Sequence, residues 1–341
     1  MTGPAYRKTG LGLALAATTA LTATSAAQAE TMIVATDLPP THFVSVQGVE
    51  RLMNCITEAA GDEIDFNYFP SGQLVKRDEG VSALQKGLAQ LTFSTIAAET
   101  ATVPLQSVTV LPGMFESAVD GVEAWRAAIS TDGALKDELE SVGVKPIQMS
   151  LLAPYQIMGT QNYADIADWQ GKKIRTTGSA LNFLVDSIGA VSVEMSANDL
   201  YTAMQRGTVD GTILSFASAT PYSVNEVATH MSENASFGTS ASWIGMSQEY
   251  FDSLSPEHQQ IVDECGKTTE LELAAWVDEN EGRIRDEYRE QGIEIYELSD
   301  DQLAAFSEAM APVENDFVSR LESRDLPAQE ALDLFKEQLA N

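Results

Sequence analysis

A short motif occurs twice in this chain, 120 residues apart. Residues 83–87 read ALQKG and residues 203–207 read AMQRG. In each copy an amphipathic stretch typical of a helix precedes a glycine, which can adopt the left-handed conformation that ends a helix, and a basic residue stands in the last turn. An apolar run that ends in hydroxyl residues follows, over 91–95 and 212–215.

The repeat predicts two similar α/β lobes. Each unit is a helix, a glycine and a strand with a polar tip, and the strand ends of two such units can face one cleft. The alternative is that five similar residues recur by chance. The segment 31–68 reads as strand, helix and strand, which implies a parallel sheet. Further predicted strands are 107–111, 144–152, 155–160, 173–176 and 192–194, and further predicted helices are 121–129, 133–142 and 180–188.

Residues 255–292 predict an unusually long helix. The Ser255–Pro256 pair suits the N-cap and the first helical position, and Gly292 is a natural end. Apolar residues recur at helical spacing in between. Roughly 36 residues would give a helix about 54 Å long, so we expect it to run across both lobes, with Gly266 or Gly282 as the site of a kink.

The first 29 residues are typical of a secretory leader. Arg7 and Lys8 form a basic start, residues 11–27 are apolar, and AQA at 27–29 is a small-x-small cleavage site. No later segment approaches the ~20 apolar residues that a membrane span needs. We expect a soluble periplasmic protein that begins at Glu30 and is not inserted in the membrane.

The composition disfavours two classes of partner. The chain has 20 basic and 50 acidic residues and a formal net charge of −30, which becomes −32 once the two basic residues of the leader are removed. Such a surface repels nucleic acid and anionic lipid. The acids are dispersed along the chain, which is typical of a solvated globular surface.

Enzyme signatures are missing from the sequence. There is no G-x-S-x-G elbow, no nucleotide-binding glycine loop and no HExxH motif. Cys55 and Cys265 are the only cysteines, and in an exported chain they are either bridged or buried as free thiols. His42, His230 and His258 show no metal-ligand spacing. We therefore expect a protein that is not an enzyme and has neither cofactor nor metal.

An ordered set of motifs resembles a known family. Residues 69–74 read FPSGQL, residues 171–179 read GKKIRTTGS, and residues 200–207 read LYTAMQRG, followed by VDG at 209–211. This set resembles the substrate-binding proteins of TRAP transporters, the dicarboxylate-binding DctP-like family. Their pattern reads Y-P-x-G-Q-L, then G-x-K-x-R, then E-V-Y-x-A-L-Q-x-G-x-V-D-G. The resemblance extends over nearly the whole chain after the leader.

The resemblance implies an α/β fold, a two-lobed periplasmic binding protein with a central cleft, hinge strands and a long lobe-spanning helix. Lobe I would comprise 30–152 plus about 241–280, and lobe II 153–240 plus about 281–341. The lobes would close on a small organic anion and deliver it, as a monomer, to the membrane permease subunits of a TRAP transporter. The first helix and the early part of the long helix would share a lobe, which favours a Cys55–Cys265 disulfide.

The resemblance also implies ligand-binding residues. Arg175 matches the arginine of K-x-R, which clasps the ligand carboxylate in the family, and its planar guanidinium can donate two parallel hydrogen bonds. Three polar or aromatic family positions are replaced by Tyr155, Leu214 and Ala197. These departures predict a monocarboxylate with an apolar or aromatic body, with Tyr155 and Trp243 as preferred walls. The other candidate ligand-contacting residues are His42, Phe69, Ser94, Thr95, Ser215 and Phe216.

Other functions remain open at this point. One is an exported sensing module that presents a small carboxylate to a sensor kinase, since it would use the same closed lobes. Another is a C4-dicarboxylate receptor, the family default. The motif set disfavours a binding protein of an ATP-driven transporter.

Overall fold

A computed structural model describes residues 1–5 and 30–340. The predicted cleavage site and most of the leader therefore lie outside the described residues. The strands are β1 Glu30–Ala35, β2 Ile64–Phe69, β3 Leu91–Thr95, β4 Val144–Leu151, β5 Gln156–Gly159, β6 Lys173–Thr176, β7 Val191–Glu194, β8 Gly211–Leu214, β9 His230–Ser232, β10 Ala241–Ser247 and β11 Glu294–Tyr296. The helices are α1 Glu50–Ala60, α2 Gly80–Gln85, α3 Ala118–Ser130, α4 Ala134–Val142, α5 Ser179–Ser187, α6 Leu200–Gln205, α7 Phe216–Ala219, α8 Gln248–Ser253, α9 Pro256–Glu290, α10 Asp300–Glu322 and α11 Ala328–Leu339.

The strands form two sheets, which confirms the predicted α/β class. The first has the order β2-β1-β3-β10-β4 and the second the order β11-β9-β5-β8-β6-β7. In the first, β1 runs parallel to β2 and β3, and β10 runs antiparallel to β3. In the second, β6 runs parallel to β7 and β8, and β5 runs antiparallel to β8. We call the part of the chain built on each sheet the first lobe and the second lobe.

The repeated motif occupies equivalent places in the two lobes. Gly87 separates α2 from β3, and Gly207 separates α6 from β8; their φ angles are 65° and 66°. In both copies the residue after the glycine donates its backbone N–H to the carbonyl of the alanine that opens the motif, over 2.9 and 2.8 Å. The repeat therefore corresponds to two similar structural units, each of which places a strand parallel to the sheet's central parallel strand.

Two connecting segments join the lobes. Residues 152–155 lead from β4 to β5, and residues 233–240 lead back from β9 to β10. The segments pair with each other, because Tyr155 N donates to Gly238 O (2.8 Å) and Phe237 N donates to Tyr155 O (3.1 Å). Two segments that are hydrogen-bonded to each other thus cross between the lobes, as the resemblance implies for a hinge, and we call them the hinge segments.

The long helix is confirmed as α9, with 35 residues from Pro256 to Glu290. Ser255 Oγ accepts a hydrogen bond from His258 N, which caps the helix start. The helix packs against α1, α3 and β4 of the first lobe and against α7 and β11 of the second. Gly266 allows close contact with β4, because a Cβ there would collide with the carbonyl oxygen of Ile147. None of the described helices has the length and apolar content that a membrane span requires.

The predicted disulfide is present. Cys55 of α1 is bonded to Cys265 of α9, with their Cα atoms 5.7 Å apart. Both helices pack against the first sheet, so the bridge joins two elements of the same lobe.

One predicted strand is wrong. Residues 107–111 do not extend as a strand, because Pro104–Val110 is a 3₁₀ helix. The buried carboxylate of Glu138 in α4 accepts hydrogen bonds from the backbone N–H groups of Leu105 (2.8 Å) and Gln106 (3.1 Å). These N–H groups are at the start of the 3₁₀ helix and have no partner within it. A capping partner 32 residues away stabilises the helical turn against the strand preference of its valines.

The C-terminal helix also departs from the expected division. The assignment of 281–341 to the second lobe does not hold for α11, which packs against α3, α4 and the 104–110 helix beside the first sheet. The cause is an apolar stripe that includes Leu332 and Phe335, both buried, together with Glu330, whose Oε1 caps α4 by accepting from Ala134 N over 2.9 Å. The other predicted lobe boundaries stay a prediction.

Candidate ligand-binding site

Arg175 is a buried cation near the carboxyl end of β6. Its residue is 2% exposed, and its Nε donates to Met195 O over 3.1 Å. Its Nη1 has no hydrogen-bond partner among the described residues. Burial lowers the pKa of Arg175, and the phenols of Tyr155 and Tyr222 offset part of this effect. The guanidinium is thus largely removed from water, with donor capacity left over.

Tyr155 lies in the first hinge segment, close enough to Arg175 for the guanidinium to lower the pKa of its phenol. The backbone of Tyr155 is hydrogen-bonded to Gly238 and Phe237 of the second hinge segment. Burial raises the pKa of Tyr155 to about 12, although Arg175 and Ser240 act in the opposite direction. The prediction that Tyr155 is a wall of the ligand site stays a prediction.

Leu214 shares a sheet face with Arg175. Arg175 is in register with Thr212 of β8, and side chains two residues apart on a strand point to the same side. Leu214 ends β8 and is 4% exposed. It therefore supplies apolar surface at the same edge of the second sheet.

Thr95 and Phe69 end two strands of the first sheet. Thr95 is paired with Ser242 of β10, and the next residue, Ile96, donates its N–H to Ala241 O over 2.9 Å. This contact brings the tip of β3 to the hinge segment that bonds Tyr155. Phe69 is half-buried at the end of β2. Both residues lie at the carboxyl edge of the parallel strands, where the resemblance placed the cleft.

Two predicted site residues of the first lobe belong to packing instead. Ser94 points to the opposite face of the sheet from Thr95, towards α2. Its Oγ lies so close to Gly80 of α2 that a Cβ at position 80 would collide with it. Trp243 is in register with Ser94 and packs against Trp125 of α3, with ring centroids 6.0 Å apart. Strand alternation thus places both side chains between the first sheet and its helices, so the prediction of Trp243 as a pocket wall is corrected.

Ser215 and Phe216 hold α7 in place. Ser215 Oγ accepts from Ser218 N (3.3 Å) and donates to Ser218 Oγ (2.8 Å), so it acts as a helix cap. Phe216 packs against Tyr288 of α9 and lines a cavity of about 870 Å³ at the hinge that Arg175 does not line. Neither side chain is brought to Arg175 by these contacts.

His42 anchors the proline-rich corner after β1. Its ring stacks on Phe43 at 4.7 Å, and Phe43 stacks on Trp276 of α9 at 5.3 Å. Burial lowers the pKa of His42, so the ring is neutral at pH 7. Its contacts explain it as a link between this corner and the long helix. Among the described residues, no group of three His, Cys, Asp or Glu side chains is placed to hold a metal ion.

Three residues near Arg175 escaped the sequence-based prediction. Arg77, exposed on the loop after β2, interacts electrostatically with Tyr155 and Arg175, as does Tyr222 after α7. The third is Thr212, the register partner of Arg175. The sequence carries a signal for two of them, because Arg77 closely follows the FPSGQL motif and Thr212 is a hydroxyl residue within an apolar strand.

Two carboxylates on one turn of α9 connect the lobes. Asp278 accepts from Ala118 N (2.8 Å) and Val119 N (3.1 Å) at the start of α3 in the first lobe. Glu281 accepts from Phe216 N and from Ala217 N at the start of α7 in the second lobe. Burial raises the pKa of both carboxyl groups, that of Glu281 to about 7. The backbone N–H donors and the Arg285 guanidinium lower the pKa of Glu281, and Asp278 adds to the rise.

We expect Glu281 to make protein stability depend on pH. Its folded-state pKa of about 7 exceeds the ordinary value of 4.5, so over this range the folded protein retains a proton that the unfolded chain has lost. The free energy of unfolding should therefore fall by roughly 1–3 kcal/mol as pH rises from about 4.5 through 7. In urea unfolding across this range, Glu281→Gln should lose the part of the slope that Glu281 contributes, while the part from Glu138, whose pKa burial also raises to about 7, remains. The exposed-residue control Glu279→Gln should keep the whole slope, and a wild-type slope in Glu281→Gln would refute the assignment.

Comparison with known proteins agrees with this architecture. Residues 35–320 match the DctP family, described as bacterial extracellular solute-binding protein, family 7. The chain is 24% identical over 306 residues to the C4-dicarboxylate-binding periplasmic protein DctP of Rhodobacter capsulatus, with 88% of each chain covered.

Two solved structures share the fold. One is a TRAP solute-binding protein from Rhodoferax ferrireducens T118 in complex with copurified benzoate, with a TM-score of 0.80, 19% identity, and coverage of 91% of this chain and 98% of that one. The other is a marine metagenome TRAP solute-binding protein specific for aromatic acid ligands, in complex with 3-hydroxybenzoate, with a TM-score of 0.81, 19% identity, and coverage of 92% and 98%. The family consists of transport receptors, not enzymes. The chain belongs to bacterial extracellular solute-binding protein family 7, the DctP-type receptors of TRAP transporters.

Proposed function

We propose that this protein is the extracytoplasmic receptor of a TRAP-type secondary transporter and binds a monocarboxylate with an apolar or aromatic body by lobe closure. The proposal depends on the burial of Arg175 and on its unpaired Nη1. A guanidinium that is 2% exposed and has an unused donor is complementary to a carboxylate that arrives with the ligand.

The electrostatics support a local rather than a general attraction for anions. The formal net charge of −30 repels anions at long range. A buried charge is unfavourable unless it is paired, and no carboxylate of the described residues forms an ion pair with Arg175. Binding of a ligand carboxylate would supply the missing charge and would strengthen in a cleft from which water is excluded.

The residues around Arg175 support an apolar ligand body. Leu214 and Tyr155 are buried beside it, and Phe69 lies at the edge of the first sheet. The two solved neighbours hold aromatic monocarboxylates, which agrees with such a pocket. The competing ligand class is a C4-dicarboxylate, named for the Rhodobacter capsulatus relative. In that case the exposed Arg77 of the first lobe would hold the second carboxylate.

The remaining parts of the proposal concern transport. The protein acts as a periplasmic monomer after removal of its leader at Ala29, closes about the hinge segments 152–155 and 233–240, and delivers its ligand to the membrane permease subunits. The hinge pairing and the contacts of α9 with both lobes support closure as a rigid-body motion.

A thermal-shift panel tests the ligand class. Benzoate, phenylacetate and mandelate should raise the unfolding temperature of the purified protein, because binding to the folded state alone stabilises it. Succinate and malate should have little effect. Mass spectrometry of the released compound should show it chemically unchanged. Stabilisation by succinate or malate alone would establish the dicarboxylate class and overturn the proposed one.

A further inference from the structure

Among the described residues, six buried side-chain polar atoms have no hydrogen-bond partner. They belong to Gln47, Ser94, Thr95, Arg175, Thr212 and Trp243. Ser94 and Trp243 face the packing between the first sheet and its helices, as described above. Three of the others, Thr95, Arg175 and Thr212, lie on strands that lead to the cleft edges of the two sheets.

The two threonines are exceptions within this fold. Eight threonines are buried in the described chain, and the hydroxyl groups of the other six are all hydrogen-bonded. Thr92 Oγ1, for example, donates to Gly80 O over 3.0 Å, and Thr269 Oγ1 donates to Cys265 O over 2.7 Å. A valine at 95 or 212 would have nearly the same shape, suit a strand equally well and leave no buried hydroxyl unpaired. Folding alone therefore does not account for threonine at these two positions.

Their positions relate both hydroxyl groups to the Arg175 region. Thr212 is the register partner of Arg175 on the neighbouring strand. Thr95 is paired with Ser242, two residues after Ser240, whose side chain lowers the pKa of Tyr155. Tyr155 in turn interacts with Arg175. Thr212 is thus next to Arg175 in the second sheet, and Thr95 ends the first-sheet strand that pairs with the start of β10, directly after the segment that holds Ser240.

We propose that Thr95 and Thr212 recognise a second polar group of the ligand, so that the preferred ligands are carboxylic acids carrying a hydroxyl or keto oxygen on their body. This inference rests on the proposed function, because it places the carboxylate on Arg175. A threonine hydroxyl both donates and accepts, and it therefore suits either oxygen type. A site built to bond such an oxygen discriminates against the analogue that lacks it, because buried polar groups are then left unpaired.

Matched ligand pairs test the inference by calorimetry. The pairs are 3-hydroxybenzoate with benzoate and mandelate with phenylacetate, which differ only by the hydroxyl group. We expect the wild type to prefer the hydroxylated member of at least one pair by about tenfold or more. Thr95→Val or Thr212→Val should reduce that preference to about threefold or less, mainly by weakening the hydroxylated acid, whereas Thr→Ser at the same position should retain most of it.

Thr92→Val is the matched control, since Thr92 is a buried threonine of the same strand as Thr95 with a bonded hydroxyl. It should leave the ligand preference unchanged and lower the unfolding temperature of the ligand-free protein, because Gly80 O loses its donor. Thr95→Val and Thr212→Val should keep or raise that temperature, which also shows that they fold. A purely structural role would not produce this separation.

Failure of this inference differs from failure of the proposed function. If the wild type binds both members of each pair equally, or if both valine variants keep the wild-type preference while Arg175→Ala still abolishes binding, the hydroxyl-recognition proposal is wrong and the carboxylate site stands. If binding does not require Arg175, the proposed function itself fails.

Discussion

Replacing Arg175 by alanine should remove most of the affinity for the carboxylate ligand, by about thirtyfold or more. The residue is 2% exposed, so its bond to the ligand carboxylate is shielded from water and from salt. Truncating one partner of a buried charge pair costs about 2–5 kcal/mol, because the remaining charge is left without compensation. Calorimetric titration of the variant with a carboxylate identified in the thermal-shift panel measures the loss.

Two further variants sharpen the Arg175 test. Arg175→Lys keeps the charge but not the planar pair of donors, so it should weaken binding less than Arg175→Ala. Arg206→Ala removes an exposed arginine of the same lobe and should change affinity by less than about twofold. Binding by Arg175→Ala within about threefold of the wild type would mean that the carboxylate is held elsewhere.

The parts of the fold that follow local rules were predictable from the sequence. Glycines 87 and 207 end helices in the left-handed conformation, and Ser255 caps a helix whose apolar spacing extends for 35 residues. These features depend on residues a few positions apart. Arg175 was identified because a contiguous motif carries it.

The parts that failed depend on distant partners. Ser94 points towards α2 and the next residue, Thr95, to the other face of the sheet, which depends on how β3 packs between α2 and β10; Ala241–Ser247 was not predicted as a strand at all. Trp243 was assigned to the pocket from the family resemblance, which does not tell which face of β10 its ring occupies. Residues 104–110 became a 3₁₀ helix because Glu138, far along the chain, accepts their free N–H groups.

In the candidate site, too, the features set by a local motif were predictable and those set by distant residues were not. The cation of the site and the adjacent Tyr155 and Leu214 were predicted, but Arg77 and Tyr222 were not, because they lie on separate loops. The buried threonines became informative only when their hydrogen bonds were compared with those of other threonines. The departures from the family pattern indicated an apolar wall, whereas the unpaired hydroxyl groups indicate a polar component within it.

Removing the Cys55–Cys265 disulfide should lower the free energy of unfolding by about 2–5 kcal/mol. The bridge closes a loop with a sequence separation of 210, so it strongly restricts the unfolded chain. It also joins α1 to the first part of α9 within one lobe. Urea unfolding of the Cys55→Ala/Cys265→Ala double variant, beside the wild type with and without reductant, measures the effect; replacing both cysteines avoids a lone reactive thiol.

Ligand binding separates this stability effect from damage to the site. The bridge lies in the first lobe, whereas Arg175 and Leu214 belong to strands of the second, so the double variant should bind the same carboxylate with nearly wild-type affinity while it remains folded. Reductant should shift the unfolding midpoint of the wild type towards that of the variant and leave the variant unaffected. Equal wild-type midpoints with and without reductant, under conditions where both thiols are shown to be free, would mean that the helix pair is held by packing alone.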